Sequence, residues 1–305
     1  MQISQNDPYA RHAAFVAVAR DAAELPRTLA GVALVVFAFL LAPALAGFLP
    51  VEREQIEDFA KGDTPGAVIL QLAMFGVPVV ALGIVTRRLH GRRVTSLLGS
   101  PVVLADLKRA FLGVVMVTLA LEVLPPWLGA EWIEQVRPIA PWLMMAVFAL
   151  PFIVLQAGAE ELFFRGYLQQ QLAVRWRSPL IWMVVPSAIF GASHYFNAMG
   201  PAEGVLWALW ATMIGIAAAD LTARSGSIGA AVGLHVANNA HALLLYGYHD
   251  GETSGLALVL LTPVDPELRM RGLEALADPM VIFEFLYILL IVGVMWLAAR
   301  VAIRL

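Results

Sequence analysis

The chain has 305 residues, of which 60% are hydrophobic and 14% charged, and its mean hydropathy is +0.77. That balance leaves too little polar material to wrap a soluble core of this size. A net charge of −3 with only two lysines, Lys61 and Lys108, denies the chain the basic face that nucleic acid requires, and the lack of cysteine rules out disulfides, thiolate metal sites and a cysteine nucleophile.

Crossing roughly 30 Å of hydrocarbon takes about 20 residues of helix. Polar breaks mark off eight such segments, at 28–49, 67–85, 106–124, 142–174, 179–197, 203–224, 227–247 and 279–299. The expectation is an all-α polytopic membrane protein, with a cytoplasmic juxtamembrane segment at 1–27 and a single transmembrane helical domain at 28–305. Ahead of the first span, Phe15, Val16 and Val18 are mixed with Arg20 and Asp21, which reads as a short helix in the membrane interface. Within that span, Val32 to Leu41 followed by Ala44-Leu-Ala46 imitates a secretory signal and its cleavage site, but the preceding 27 residues are long for a signal.

The fourth span is longer than a crossing needs and carries Glu160, Glu161 and Arg165. Ionisable groups at such depth are costly and mark a polar interior site. The four-residue spacing pairs Glu161 with Arg165, the acid on the N-terminal side. Glu160 points about 100° away and is left for chemistry. In the fifth span Phe190 and His194 stand one turn apart on one face. The sixth ends with Asp220 four residues before Arg224, a spacing that explains both as a structural pair. The seventh places His235 four residues before Asn239, a pattern that interhelical hydrogen bonding alone would also produce.

Basic residues set the orientation. Fourteen of the 20 Lys and Arg fall in 11–27, 87–109, 175–177, 224 and 300–304, against Arg53, Lys61, Arg137, Arg269 and Arg271 in the opposite loops. Both termini are therefore expected in the cytoplasm, with 50–66, 125–141, 198–202 and 248–278 on the outer side. Counting about 1.5 Å per residue from the cytoplasmic ends puts Glu160 and His194 about 22 Å deep, and His235 and Asn239 about 14 and 20 Å deep. These depths are compatible with one layer.

Glu-Glu-x-x-x-Arg on one helix, Phe-x-x-x-His on the next and His-x-x-x-Asn two helices later resemble the CAAX prenyl endopeptidase and bacteriocin-processing family of intramembrane proteases, of the type II CAAX protease kind. The approach Arg224-Ser-Gly-Ser-Ile-Gly-Ala-Ala-Val-Gly-Leu-His235 is similar to that family as well, and the resemblance covers about 142–247. It implies an endopeptidase in which Glu160 is the general base for a water and His194 helps to activate that water. It further implies that His235 and Asn239 face the oxyanion while Glu161, Arg165 and Phe190 support the site. No cofactor is expected; the alternative is Zn2+ held by Glu160, His194 and His235, since two imidazoles and a carboxylate leave an open fourth position. The implied partners are the lipid bilayer and a peptide or protein substrate of the lipidated or membrane-associated kind, in a cell membrane of the bacterial inner-membrane kind.

Three other readings use the same groups. Ser193 with His235 nearly satisfies a rhomboid-type serine dyad, but His194 follows the serine where a glycine is wanted, and the acids are left unexplained. A proton or solute pathway would use buried acids and histidines too, yet no two-fold repeat is visible. A catalytically idle scaffold would not need every motif position filled.

Overall fold

The computed structural model describes residues 8–46, 59–125, 130–249, 251 and 253–305; Arg53 and the junction between the first two spans lie outside them. A short helix α1 (Ala10–Ala17) precedes eight longer ones. These are α2 (Leu25–Ala46), α3 (Pro65–His90), α4 (Val103–Val123), α5 (Ile139–Arg175), α6 (180–194), α7 (Pro201–Ser225), α8 (Gly229–Leu244) and α9 (Pro279–Ala302). Each coincides with one expected span.

Five of them, α2, α3, α5, α7 and α9, are long and apolar enough to cross a membrane, making this a multi-pass membrane protein. The other three fall short of that length and composition for physical reasons the hydropathy reading passed over. α4 carries Asp106, Lys108, Arg109 and Glu122. α8 has 16 residues, and α6 ends at His194 after a five-residue π-helical start and ten α-helical residues.

α8 is the axis of the bundle, and every residue from Gly229 to Ala237 is buried. Its small residues let backbones approach. A Cβ at Gly229 would strike the carbonyl of Val103, and one at Gly233 that of Leu107, so α4 lies directly on α8. The same device joins α6 to α7, where a Cβ on Gly191 would meet Thr212 Oγ1 and the carbonyl of Ala208.

One end of the bundle gathers α1, the α3–α4 and α7–α8 turns and the end of α9. Tyr9 donates to Asp220 at 2.8 Å, Arg224 and Trp296 donate to the same carboxylate, and Ser100 N–H donates to the carbonyl of Gly226. Asp220 is thus structural, as its spacing predicts. Helix α1 is not simply a surface helix, because Phe15 and Val16 join a core with Ile228 and Val232, and the His12 ring lies tilted 4.2 Å from that of Trp182.

At the opposite end the loops form a three-stranded sheet in the order β1-β3-β2, from Ile133–Val136, Val259–Leu261 and Tyr246–Tyr248, an addition to the expected all-α architecture. Arg137 donates to the carbonyls of Gly255 and Ala257, and Arg269 pairs with Glu203 at 3.0 Å. Described basic residues from the two predicted sides therefore sort to the two ends of the bundle.

Candidate functional site

Glu160 and Glu161 sit where α5 meets the flanks of α6 and α8. Immediately after them the helix widens into a π-helical stretch, Leu162–Gln169, a distortion often found at functional sites. Glu161 turns inward. Its Oε1 accepts from Arg165 Nη1 at 2.8 Å and from His235 Nδ1 at 2.8 Å. The side chains of Glu161 and Arg165 are 0% and 1% exposed, a depth at which neither charge is tolerable without the other.

Glu160 takes the other direction. Its side chain remains 14% exposed, while its buried Oε2 approaches His235 Nε2 at 3.4 Å, within ion-pair reach but without hydrogen-bond alignment. The bond to Glu161 assigns the Nδ1 proton of His235 and so aims Nε2 at Glu160. Glu161 thus orients the imidazole that faces the neighbouring acid.

Phe190, 2% exposed, organises the aromatic wall. The Arg165 guanidinium lies 5.1 Å from its ring centre, a cation–π contact. The rings of His194 and His235 lie 4.5 and 5.8 Å from it, both edge-on. His194 donates from Nδ1 to the Phe190 carbonyl at 2.9 Å, which leaves Nε2 as its remaining polar atom, and Trp210 of α7 lies beyond it at 6.4 Å.

All seven residues expected from the sequence therefore gather at one level between α5, α6 and α8. The contacts are uneven. His235 touches both acids, whereas His194 makes no hydrogen bond or ion pair with Glu160 and meets the cluster through Phe190. Asn239 joins through Gln156, whose Oε1 accepts from Asn239 Nδ2 at 2.7 Å. Gln156 was not singled out from the sequence, although it stands four residues before Glu160 and shares its face. Gly215 was missed too: a Cβ there would press on Ser187 and Arg165, so the glycine makes room for the guanidinium.

Ser193 is exposed, donates its hydroxyl to the Phe190 carbonyl at 2.7 Å and makes no contact with His235, which removes the geometry of a serine dyad. Among the described residues no group of three His, Asp or Glu side chains is arranged to hold a metal ion. An apolar groove of about 230 Å³ between Phe111, Trp142, Leu150 and Leu244 contains none of the motif residues.

Residues 141–241, the stretch holding all of these side chains, match the model of the family described as Type II CAAX prenyl endopeptidase Rce1-like. Over this stretch the chain is similar to that family. The matched segment is also 35% identical over 99 residues to a protein of Bacillus subtilis (strain 168) described as uncharacterized protein YyaK. That similarity covers 32% of this chain and 32% of the relative, about a third of its length. No solved structure matches the chain. The helices α2 to α4 and α9 lie outside the matched segment and frame it.

Proposed function

We propose that the chain is an intramembrane endopeptidase that hydrolyses a peptide bond with water activated by Glu160. The observation that carries this reading is the pair of unequal acids. Glu161 is sealed and spent on Arg165 and His235, while the Glu160 side chain stays 14% exposed, beside one edge of a fixed imidazole and the Gln156 amide. A general base needs that accessibility together with restraint. The peptidase character of the matched family supports the same choice.

In the proposed reaction Glu160 takes a proton from water as the water oxygen adds to the peptide carbonyl carbon. The tetrahedral oxyanion is met by the N–H donor of the Asn239 amide, while His194 Nε2, left as an acceptor once Nδ1 donates to the Phe190 carbonyl, helps to hold the attacking water. Collapse breaks the C–N bond as the proton held by Glu160 passes to the leaving nitrogen. His235 keeps Glu160 in place, with Glu161, Arg165 and Phe190 holding His235. Fixed donors act more strongly in a water-poor cavity than in bulk water.

The reading places both termini in the cytoplasm of a cell whose membrane the eight helices enter, with a peptide or membrane-associated protein as substrate. The test uses purified protein in detergent and a degenerate library of internally quenched peptides. Wild-type protein should cleave, and Glu160→Ala should lose about 100- to 10,000-fold in rate. Cleavage by Glu160→Ala at the wild-type rate would overturn the assignment.

A further inference from the structure

Asn239 has a fixed partner on each side. Asn238 Nδ2 donates to Asn239 Oδ1 at 3.0 Å, and Asn239 Nδ2 donates to Gln156 Oε1 at 2.7 Å. An amide can be flipped through 180° at little intrinsic cost, so the network around it decides which atom faces where. Here the carbonyl is taken up by Asn238 within α8 and one N–H by Gln156 on α5. The second N–H remains for the cavity. Gln156 is 8% exposed, and its amide also faces the Glu160 carboxylate one turn along the same helix.

We propose that Gln156 is a positioning residue that sets the Asn239 amide with its donor, rather than its carbonyl, toward the reacting centre, and couples that amide to Glu160. Without the Gln156 acceptor, Asn239 is free to flip and present a carbonyl, which would repel a developing oxyanion. A glutamine in an apolar helix is otherwise easily dismissed as an interhelical hydrogen bonder. Its place between two motif residues gives it the more specific task.

This inference rests on the endopeptidase reading, and the experiment separates the two. Protein labelled with ¹⁵N only at asparagine reports the side-chain amide of Asn239 directly, independent of activity. Gln156→Met, close in shape but without acceptor or donor, should abolish the slow hydrogen exchange of that amide while the helical signal is retained. Unchanged exchange would overturn the proposal whether or not the protein cleaves peptides.

With the peptide library as probe, Gln156→Met should lower kcat about 10- to 100-fold with KM little changed, as loss of a transition-state contact predicts. In an Asn239→Ala background the same substitution should cost less than threefold, because the group it orients is gone. Equal losses in both backgrounds would overturn the proposal and leave Gln156 a structural residue. Retained cleavage by Glu160→Ala would instead sink the endopeptidase reading, with the exchange experiment still deciding what Gln156 holds.

Discussion

Arg165 shows at the level of one side chain why the site holds together. It is buried among aromatic rings, its charge is met by Glu161 alone, and its Nη2 has no hydrogen-bond partner. Removing it strands a carboxylate in an apolar interior. Arg165→Met should therefore destabilise the protein by about 3–5 kcal/mol, seen as a large drop in the thermal midpoint in detergent. It should inactivate as well, because His235 loses its anchored partner. Ser193→Ala should leave cleavage within about twofold of wild type, since that hydroxyl bonds only locally; an inactive but folded variant would reopen the serine mechanism. Among residues, the charged motif was legible in the sequence because charge is so expensive at that depth. Gln156 was not, since an uncharged amide carries no such alarm.

At the level of elements, two contacts were invisible to hydropathy. The first is the close approach of α6 to α7 at Gly191. Gly191→Val should force the helices apart, displace the Phe190 and His194 rings, and cost about 1–3 kcal/mol through overpacking, measured by thermal unfolding with activity lost in parallel. The second is the docking of α1, where Tyr9 and His12 both pack against Trp182. Burial, and then the Asp220 carboxylate, push the Tyr9 phenol up to about 12, so it stays a donor at neutral pH.

Burial pushes the His12 imidazole down to about 4, whereas an undocked histidine titrates near 6.5. The docked state binds fewer protons between those values, so docking is at full strength above about pH 6.5 and weakens as pH falls toward 4. Trp182 fluorescence, reporting the ring packed against His12, should follow that window in wild type and lose the dependence in His12→Phe. A pH-independent wild-type signal would show that His12 does not govern the docking. The juxtamembrane segment looked like an interfacial helix because apolar and charged residues were mixed. What the pattern could not reveal was the groove waiting at the end of the bundle.

For the whole molecule, eight helices were legible from polar breaks alone, and the sequence order of the motifs placed them on neighbouring helices. The small sheet was not legible, because strands such as Ile133-Glu-Gln-Val136 are short, fully exposed and lack sustained alternation. The two ends of the bundle carry the basic residues unequally, which predicts the sidedness. A cysteine replacing exposed Glu267 should react with an impermeant thiol reagent in intact cells, and one replacing exposed Arg93 should not. The reverse pattern would invert the molecule.

The lengths of α6 and α8 have a consequence for the surrounding lipid. At about 1.5 Å per residue the 16 residues of α8 span about 24 Å, and α6 is shorter still, while the 24 residues of α9 reach about 36 Å. Because α8 is buried at the axis, it is α6, with Leu180, Val185 and Ile189 exposed, that meets the lipid, and the bilayer must pinch there to keep its acyl chains against apolar surface, at a fraction of a kcal/mol per Å. The pinch brings headgroups and their hydration toward the level of Glu160. Bilayer thickness then becomes a control on turnover: reconstitution into short-chain phosphatidylcholine should raise the cleavage rate over long-chain phosphatidylcholine, and equal rates in both would show that water arrives by another route.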